Sequence, residues 1–173
     1  ELESQLFKPI LGIEAYCAHK SRFEKDTRGW HLILLAKNKQ GYKNLCKLSS
    51  LAFTEGFYYN ARVDHELLEK YHEGIICSSA CLGGEIPRKI MAGDIAGAEE
   101  SVLWFKSIFG DDFYLELQRH KTDKPGGDTS TYERQQEVNK VLLDLAAKTN
   151  TKIIAPNDVH FVEEEHGEAH DRL

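Results

Sequence analysis

Apolar and polar positions change rhythm several times along this chain, and each change predicts an element. Residues 10–16 form a mostly apolar run, Ile10, Leu11, Gly12, Ile13, Glu14, Ala15 and Tyr16, strand-like except for the carboxylate set inside it. Residues 20–29 are polar and charged and predict a loop. Trp30 to Ala36 is apolar nearly throughout and predicts a second strand, with His31 at its start. If the two strands form a hairpin, the end of the first lies beside the start of the second, which brings His31 near Glu14. Tyr42, Leu45, Cys46, Ser49 and Ala52 then recur at helical spacing, predicting a helix over about 40–54 that ends at Gly56.

The pattern continues as alternating strands and helices. Asp64 is a good N-cap for a short helix over 65–71, closed by Gly74. Residues 74–81 predict a short apolar strand with Cys81 just past it, and the Gly83-Gly84 pair that follows allows close backbone approach. Helices over 86–91 and 95–109, the second capped by Asp94, lead to a strand over 113–118 that ends at Arg119 and His120. Residues 121–130 form a Gly- and Asp-rich loop. A helix over 132–150 carries the stripe Val138, Val141, Leu142, Leu145 and Ala146. Lys152 to Ala155 then reads as a buried strand, stopped by Pro156-Asn157 and followed by Asp158 and His160. Such alternation predicts an α/β fold with right-handed crossovers, a mainly parallel sheet and outer helices. Ligands in such folds collect at the carboxyl ends of strands. Glu14, Cys81, His120, Asp158 and His160 all fall at or near such ends.

Composition narrows the picture. A chain of 173 residues, 41% hydrophobic, is long enough for one domain with a proper core. Its net charge of -6 argues against a free-standing nucleic-acid binder, while leaving room for DNA held by a neighbouring domain. No apolar run approaches the roughly 20 residues of a membrane span, and the first residues lack a signal pattern, so the expected location is the cytoplasm. The four cysteines form no Cys-x-x-Cys pair and are expected to be reduced thiols. The chain opens at Glu1 without an initiator Met, and the expectation is a piece of something longer.

Each chemically interesting residue also has an ordinary structural reading. Glu14 suits an edge strand facing water, His31 a core histidine bonded to a carbonyl, Cys81 a small buried hydrophobe and His120 a loop residue. Asp158 suits a turn cap, and His160 the surface. His19, His65, His72, His166 and His170 read as surface or structural, and His170-Asp171 is the one pair among them of chemical interest. Taken together, a carboxylate, two imidazoles, a thiol and an aspartate spread over different strand ends make a mixed oxygen, nitrogen and sulfur donor set. That set suits Zn²⁺ or Mn²⁺.

Several blocks resemble one family. Gly12-Ile13-Glu14-Ala15-Tyr16, Gly29-Trp30-His31-Leu32-Ile33-Leu34-Leu35-Ala36-Lys37-Asn38, Gly41-Tyr42-Lys43-Asn44-Leu45 and Glu55-Gly56-Phe57-Tyr58-Tyr59 look like the PHP (polymerase and histidinol phosphatase) domain of bacterial replicative DNA polymerase III alpha subunits. So do Ser79-Ala80-Cys81-Leu82-Gly83-Gly84-Glu85-Ile86-Pro87, Phe113-Tyr114-Leu115-Glu116-Leu117-Gln118 and Asn157-Asp158-Val159-His160-Phe161. The resemblance covers essentially the whole chain as a single partial PHP domain. It implies a distorted (β/α)7 barrel with a multinuclear metal site at one mouth, incomplete here. The family's Glu, His, Cys-or-His and closing Asp-x-His ligands fall on Glu14, His31, Cys81, Asp158 and His160. A departure accompanies the match: the family's opening His-x-His strand and later Asp-His-Gly segment do not occur before Glu14. The first strands of the barrel are therefore expected to be missing, with the metal site incomplete and the fragment inactive by itself.

For the intact domain the resemblance implies metal-dependent phosphoester hydrolysis at a Zn or Mn site, with Mg an alternative, and a 3′-5′ exonuclease-type activity on DNA. His120 is a candidate phosphate contact. The implied partners are the rest of the polymerase alpha subunit and DNA, with no membrane. One alternative is a non-catalytic module that braces the polymerase and docks the proofreading exonuclease subunit. Another is a small-molecule PHP phosphatase, against which the blocks around Gly56 and Cys81 weigh.

Overall fold

Six strands join in one mixed sheet in the computed structural model, which describes residues 8–25, 27–121, 129–163, 165–170 and 172. They are β1 (Gly12–Cys17), β2 (Trp30–Ala36), β3 (Arg62–Val63), β4 (Ile75–Ser78), β5 (Phe113–Glu116) and β6 (Lys152–Ile154), in the order β3-β1-β2-β4-β5-β6. β2 is antiparallel to both its neighbours, β1 and β4, while the remaining pairings are parallel. β2 alone therefore runs against the common direction, as the predicted hairpin requires. Among the described residues β3 and β6 are opposite edges of the sheet and do not pair, so the sheet is open. That is an incomplete α/β barrel.

The helices are α1 (Lys39–Thr54), α2 (His65–Tyr71), α3 (Glu85–Met91), α4 (Ile95–Phe109), α5 (Ser130–Thr149) and the short α6 (His166–His170). Their starts follow the sequence signals: the Asn38, Asp64 and Asp94 side chains accept the backbone N–H groups of Gly41, Leu67 and Gly97. Gly41 has a steric reason to be glycine. A Cβ there would stand 1.8 Å from the Gly74 carbonyl oxygen, so α1 can approach the turn before β4 only without a side chain. The predicted stripe of α1 needs correction. Tyr42 and Cys46 are exposed, and the buried face is Gly41, Asn44, Leu45, Leu48 and Ala52. Asn44 takes an inward place because its amide donates to the Glu73 carbonyl at 2.8 Å. The α5 stripe holds, with Val138, Leu142, Leu145 and Ala146 buried. Most of the predicted 121–130 loop, and Asp171 of the His170-Asp171 pair, lie outside the described residues.

Alternation in the hairpin separates core from site. Ala15, Cys17, Leu32 and Leu34 are buried in the hydrophobic core with Leu48, Leu68, Phe105, Phe113, Leu115 and Leu142. The other face of the same strands carries Glu14, Tyr16, His31 and Ile33, all at least partly accessible.

The loop that leads into β2 is held by two arginines. Arg62 is 0% exposed, and its guanidinium donates to the carbonyls of Gly56, Thr27, Arg22 and Glu24 at 2.7–3.0 Å. Arg22 in turn pairs with Asp64, Glu55 and Glu66. A planar five-donor group suits this work better than an ammonium, because its donors diverge in fixed directions.

Candidate metal centre

Glu14 and His31 meet because of register. Tyr16 pairs with His31 and Glu14 with Ile33, so Glu14 and His31 are diagonal neighbours on one face of the antiparallel pair. Glu14 Oε1 lies 2.7 Å from His31 Nδ1. Cys81 arrives from a different strand, just past the end of β4. Ala80, in the left-handed region at φ 59°, turns the chain there, and the His31 backbone N–H donates to the Gly83 carbonyl at 3.0 Å. The Cys81 sulfur then stands 3.5 Å from His31 Nδ1. Ligand atoms of Glu14, His31 and Cys81 all fall within 4.8 Å of one another.

Gly83 allows this approach. A Cβ at that position would lie 3.1–3.2 Å from three atoms of the His31 ring. Burial pushes the Cys81 thiol up; the Gly83 N–H at 3.4 Å opposes this, and the Asp158 and Glu14 carboxylates add to the rise. A neutral thiol is the resting state such surroundings favour, and a bound cation would reverse that preference. Cys17 and Cys77 are raised well above the usual thiol range, first by complete burial, and are inert core residues.

The donor set fits a metal by chemistry and by spacing. Two donors on one zinc at about 2.0–2.3 Å stand roughly 3.3–3.7 Å apart in tetrahedral geometry. The sulfur–nitrogen separation is already in that range. The Glu14–His31 contact, at 2.7 Å, needs to open by under about 1 Å.

The remaining predicted positions are distributed around this group. Asp158 follows β6, partly exposed, near enough to Cys81 for its carboxylate to act on the thiol. His160 is exposed and stands outside the three-residue group: its Nδ1 lies 2.9 Å from the Asp158 carbonyl oxygen, and its ring lies edge-on to His170 at 5.3 Å. Asp158 and His160 lie beyond the end of β6, in irregular chain rather than on the strand itself. His120 follows β5 and is half-buried, with Nε2 3.2 Å from the Asp158 backbone nitrogen.

Two features escaped the sequence reading. Glu85, directly after the glycine pair, is 6% exposed and bonded to His65, Lys89 and Ser101 at 2.6–3.3 Å. Burial raises its carboxyl, but these three partners outweigh burial and leave its pKa at about 2. His65 is stacked on Trp104 at 3.6 Å, a structural role as expected. Gln135 is 3% exposed and holds His120. It lies on the apolar stripe of α5, three residues before Val138, and a polar residue on a buried stripe was the available signal.

Comparison with known proteins gives the family. The PHP domain family matches residues 1–120. The chain is 49% identical over 169 residues to the DNA polymerase III subunit alpha of Borreliella burgdorferi, covering 95% of this chain and 14% of the relative. It is 42% identical over 179 residues to the subunit of the same name from Aquifex aeolicus, covering 98% and 15%. For Treponema pallidum the identity is 40% over 172 residues, covering 96% and 14%. The chain thus spans about one-seventh of the length of these curated relatives. The family model covers more than half of the chain, the open α/β sheet is consistent with it, and the chain belongs to the PHP domain family.

Proposed function

We propose that this chain is part of the PHP domain of a bacterial replicative DNA polymerase III alpha subunit, serves DNA replication in the cytoplasm, and holds a divalent metal on Glu14, His31 and Cys81. Asp158 and His160 complete the set, and the expected ion is Zn or Mn. The observation that carries this reading is the convergence of an oxygen, a nitrogen and a sulfur donor within 4.8 Å from three separate stretches of chain. A bound metal would supply a water of lowered pKa and neutralise phosphate charge. Of the chain's own groups, the Glu14 carboxylate orients the His31 ring, and Gly83 packs against its face. His120 contacts phosphate. In the whole subunit the substrate of such a mouth is the 3′ end of a DNA strand.

Elemental analysis of the purified chain and of the full subunit tests the metal, and release of nucleotides from a 3′-labelled strand tests the reaction. Bound metal lost in His31→Ala, with nucleotide release by the wild-type subunit, is the expected result. Metal-free wild-type protein would sink the reading.

A second reading is a non-catalytic brace that docks the proofreading exonuclease subunit. It is favoured by the direct Glu14–His31 contact, a carboxylate set against an imidazole without an ion between them. Stoichiometric metal with no hydrolysis by the full subunit would select it.

A further inference from the structure

Helix α1 carries a charge pattern that its own stability does not explain. Over its 16 residues it holds Lys39, Lys43 and Lys47 and no Asp or Glu, in a chain with 28 acidic residues against 22 basic ones. The three lysines recur at i, i+4 and i+8 and share one exposed face. Like charges four apart repel, and cations in the first helical turn oppose the helix dipole, so the arrangement weakens the helix that bears it. Lys37, just before the helix, is held by Asp112 at 2.7 Å, whereas Lys39, Lys43 and Lys47 make no ion pair among the described residues.

Beside these lysines the surface is apolar and concave. Three depressions of about 570, 400 and 570 Å³ share Tyr42, which is 48% exposed, and two of them share Cys46. Together they form a trough, with Ile10 and Leu11 exposed at one end and Leu51 and Tyr71 at the other. Lys39 lines the first of these ends and Lys43 and Lys47 the second, and among the described residues no Asp or Glu lines any of the three. The first end lies where Gly12 pairs with Leu35, the opposite end of the β1–β2 hairpin from His31.

An apolar trough with cations along its rim is complementary to a segment that is apolar on one face and acidic on its flanks. A phosphate chain would meet the cations but leave the aliphatic floor unmatched, because interfaces with nucleic acid are polar and wet. Lys39 to Lys47 spans roughly 12 Å, about two turns of a partner helix.

We propose that the trough at Tyr42 docks an acidic amphipathic segment of a protein partner, its apolar side chains against Leu11 and Tyr42 and its carboxylates on Lys39, Lys43 and Lys47. The surface is separate from the Glu14, His31 and Cys81 group, and docking there does not depend on a metal.

Selection of a phage-displayed random peptide library on the full subunit tests this without assuming a partner. Enriched peptides are expected to carry net negative charge and apolar residues at helical spacing. A synthetic copy is expected to bind Lys43→Glu/Lys47→Glu about tenfold more weakly than wild type and Tyr42→Ser several-fold more weakly, with thermal midpoints confirming that each variant is folded. Lys140→Glu, a charge reversal at an exposed position of α5, is expected to bind as wild type does. Bound peptide should slow alkylation of Cys46, an exposed thiol in the trough. A single-stranded oligonucleotide and its duplex are expected to bind wild type and the double variant alike. Selected peptides without acidic residues, no enrichment at all, or equal peptide affinity in wild type and the double variant overturn the proposal. So does an oligonucleotide affinity that falls in the double variant while the peptide's does not, which would give the trough to nucleic acid.

Discussion

Glu14 and His31 are diagonal partners across β1 and β2, and the carboxylate oxygen of one lies 2.7 Å from Nδ1 of the other. Both side chains stand on rigid, paired backbone. Cys81 is different: it is delivered by a turn with a left-handed alanine, and its place depends on Gly83 and on the backbone bond to His31.

Cobalt reports on the thiol without any need for turnover. Co²⁺-loaded wild-type chain is expected to show a sulfur-to-metal charge-transfer band, absent in Cys81→Ser. Cys46→Ser, a change at an exposed cysteine, should leave the band intact. A band that survives Cys81→Ser would remove the sulfur from the site.

Gly83→Ala tests the fit around His31. The added methyl lies 3.1–3.2 Å from the ring, so the imidazole must yield by a few tenths of an ångström. Zinc affinity in a chelator competition is expected to fall several-fold, about 1 kcal/mol, with a smaller change in thermal midpoint. Wild-type affinity would show that the ring has room to spare.

Glu85 makes the fold sensitive to acid. Its pKa drops from 4.5 to about 2 on folding, so its contribution is complete above the unfolded value and disappears as pH falls through the folded one. Glu85→Gln is expected to cost roughly 1–3 kcal/mol at neutral pH and to flatten the loss of stability between about pH 5 and 2. Urea midpoints measured across that range decide it: an unchanged slope with pH would assign the acid sensitivity to other carboxylates.

Arg62→Met removes a buried charge and leaves the carbonyls of Gly56, Thr27, Arg22 and Glu24 without that donor. The expected loss is about 3 kcal/mol or more in urea unfolding, with faster amide exchange in residues 21–25 and 27–29. A loss below about 1 kcal/mol would mean that water replaces the guanidinium at little cost.

How far the sequence reaches can be seen residue by residue. Asp64 and Asp94 marked helix starts correctly because capping is decided within a few residues, and Trp30 to Ala36 was legible as a strand for the same reason. The stripe of α1 was misplaced by giving Tyr42 and Cys46 inward positions. Apolar character alone does not say which face meets the sheet, and Asn44 went inward for a carbonyl that only the folded chain provides.

By itself, the sequence determined the alternation of strands and helices, the family blocks and the hairpin that brings Glu14 to His31, because period, capping and short-range pairing are local properties. Tertiary structure decided which donors share a point. Cys81 reaches His31 through a turn and a glycine contact, Asp158 and His160 leave β6 in irregular chain, and the buried Gln135 meets His120 across the α5–β5 packing. Those distances depend on how separate elements are stacked, and no local pattern encodes them.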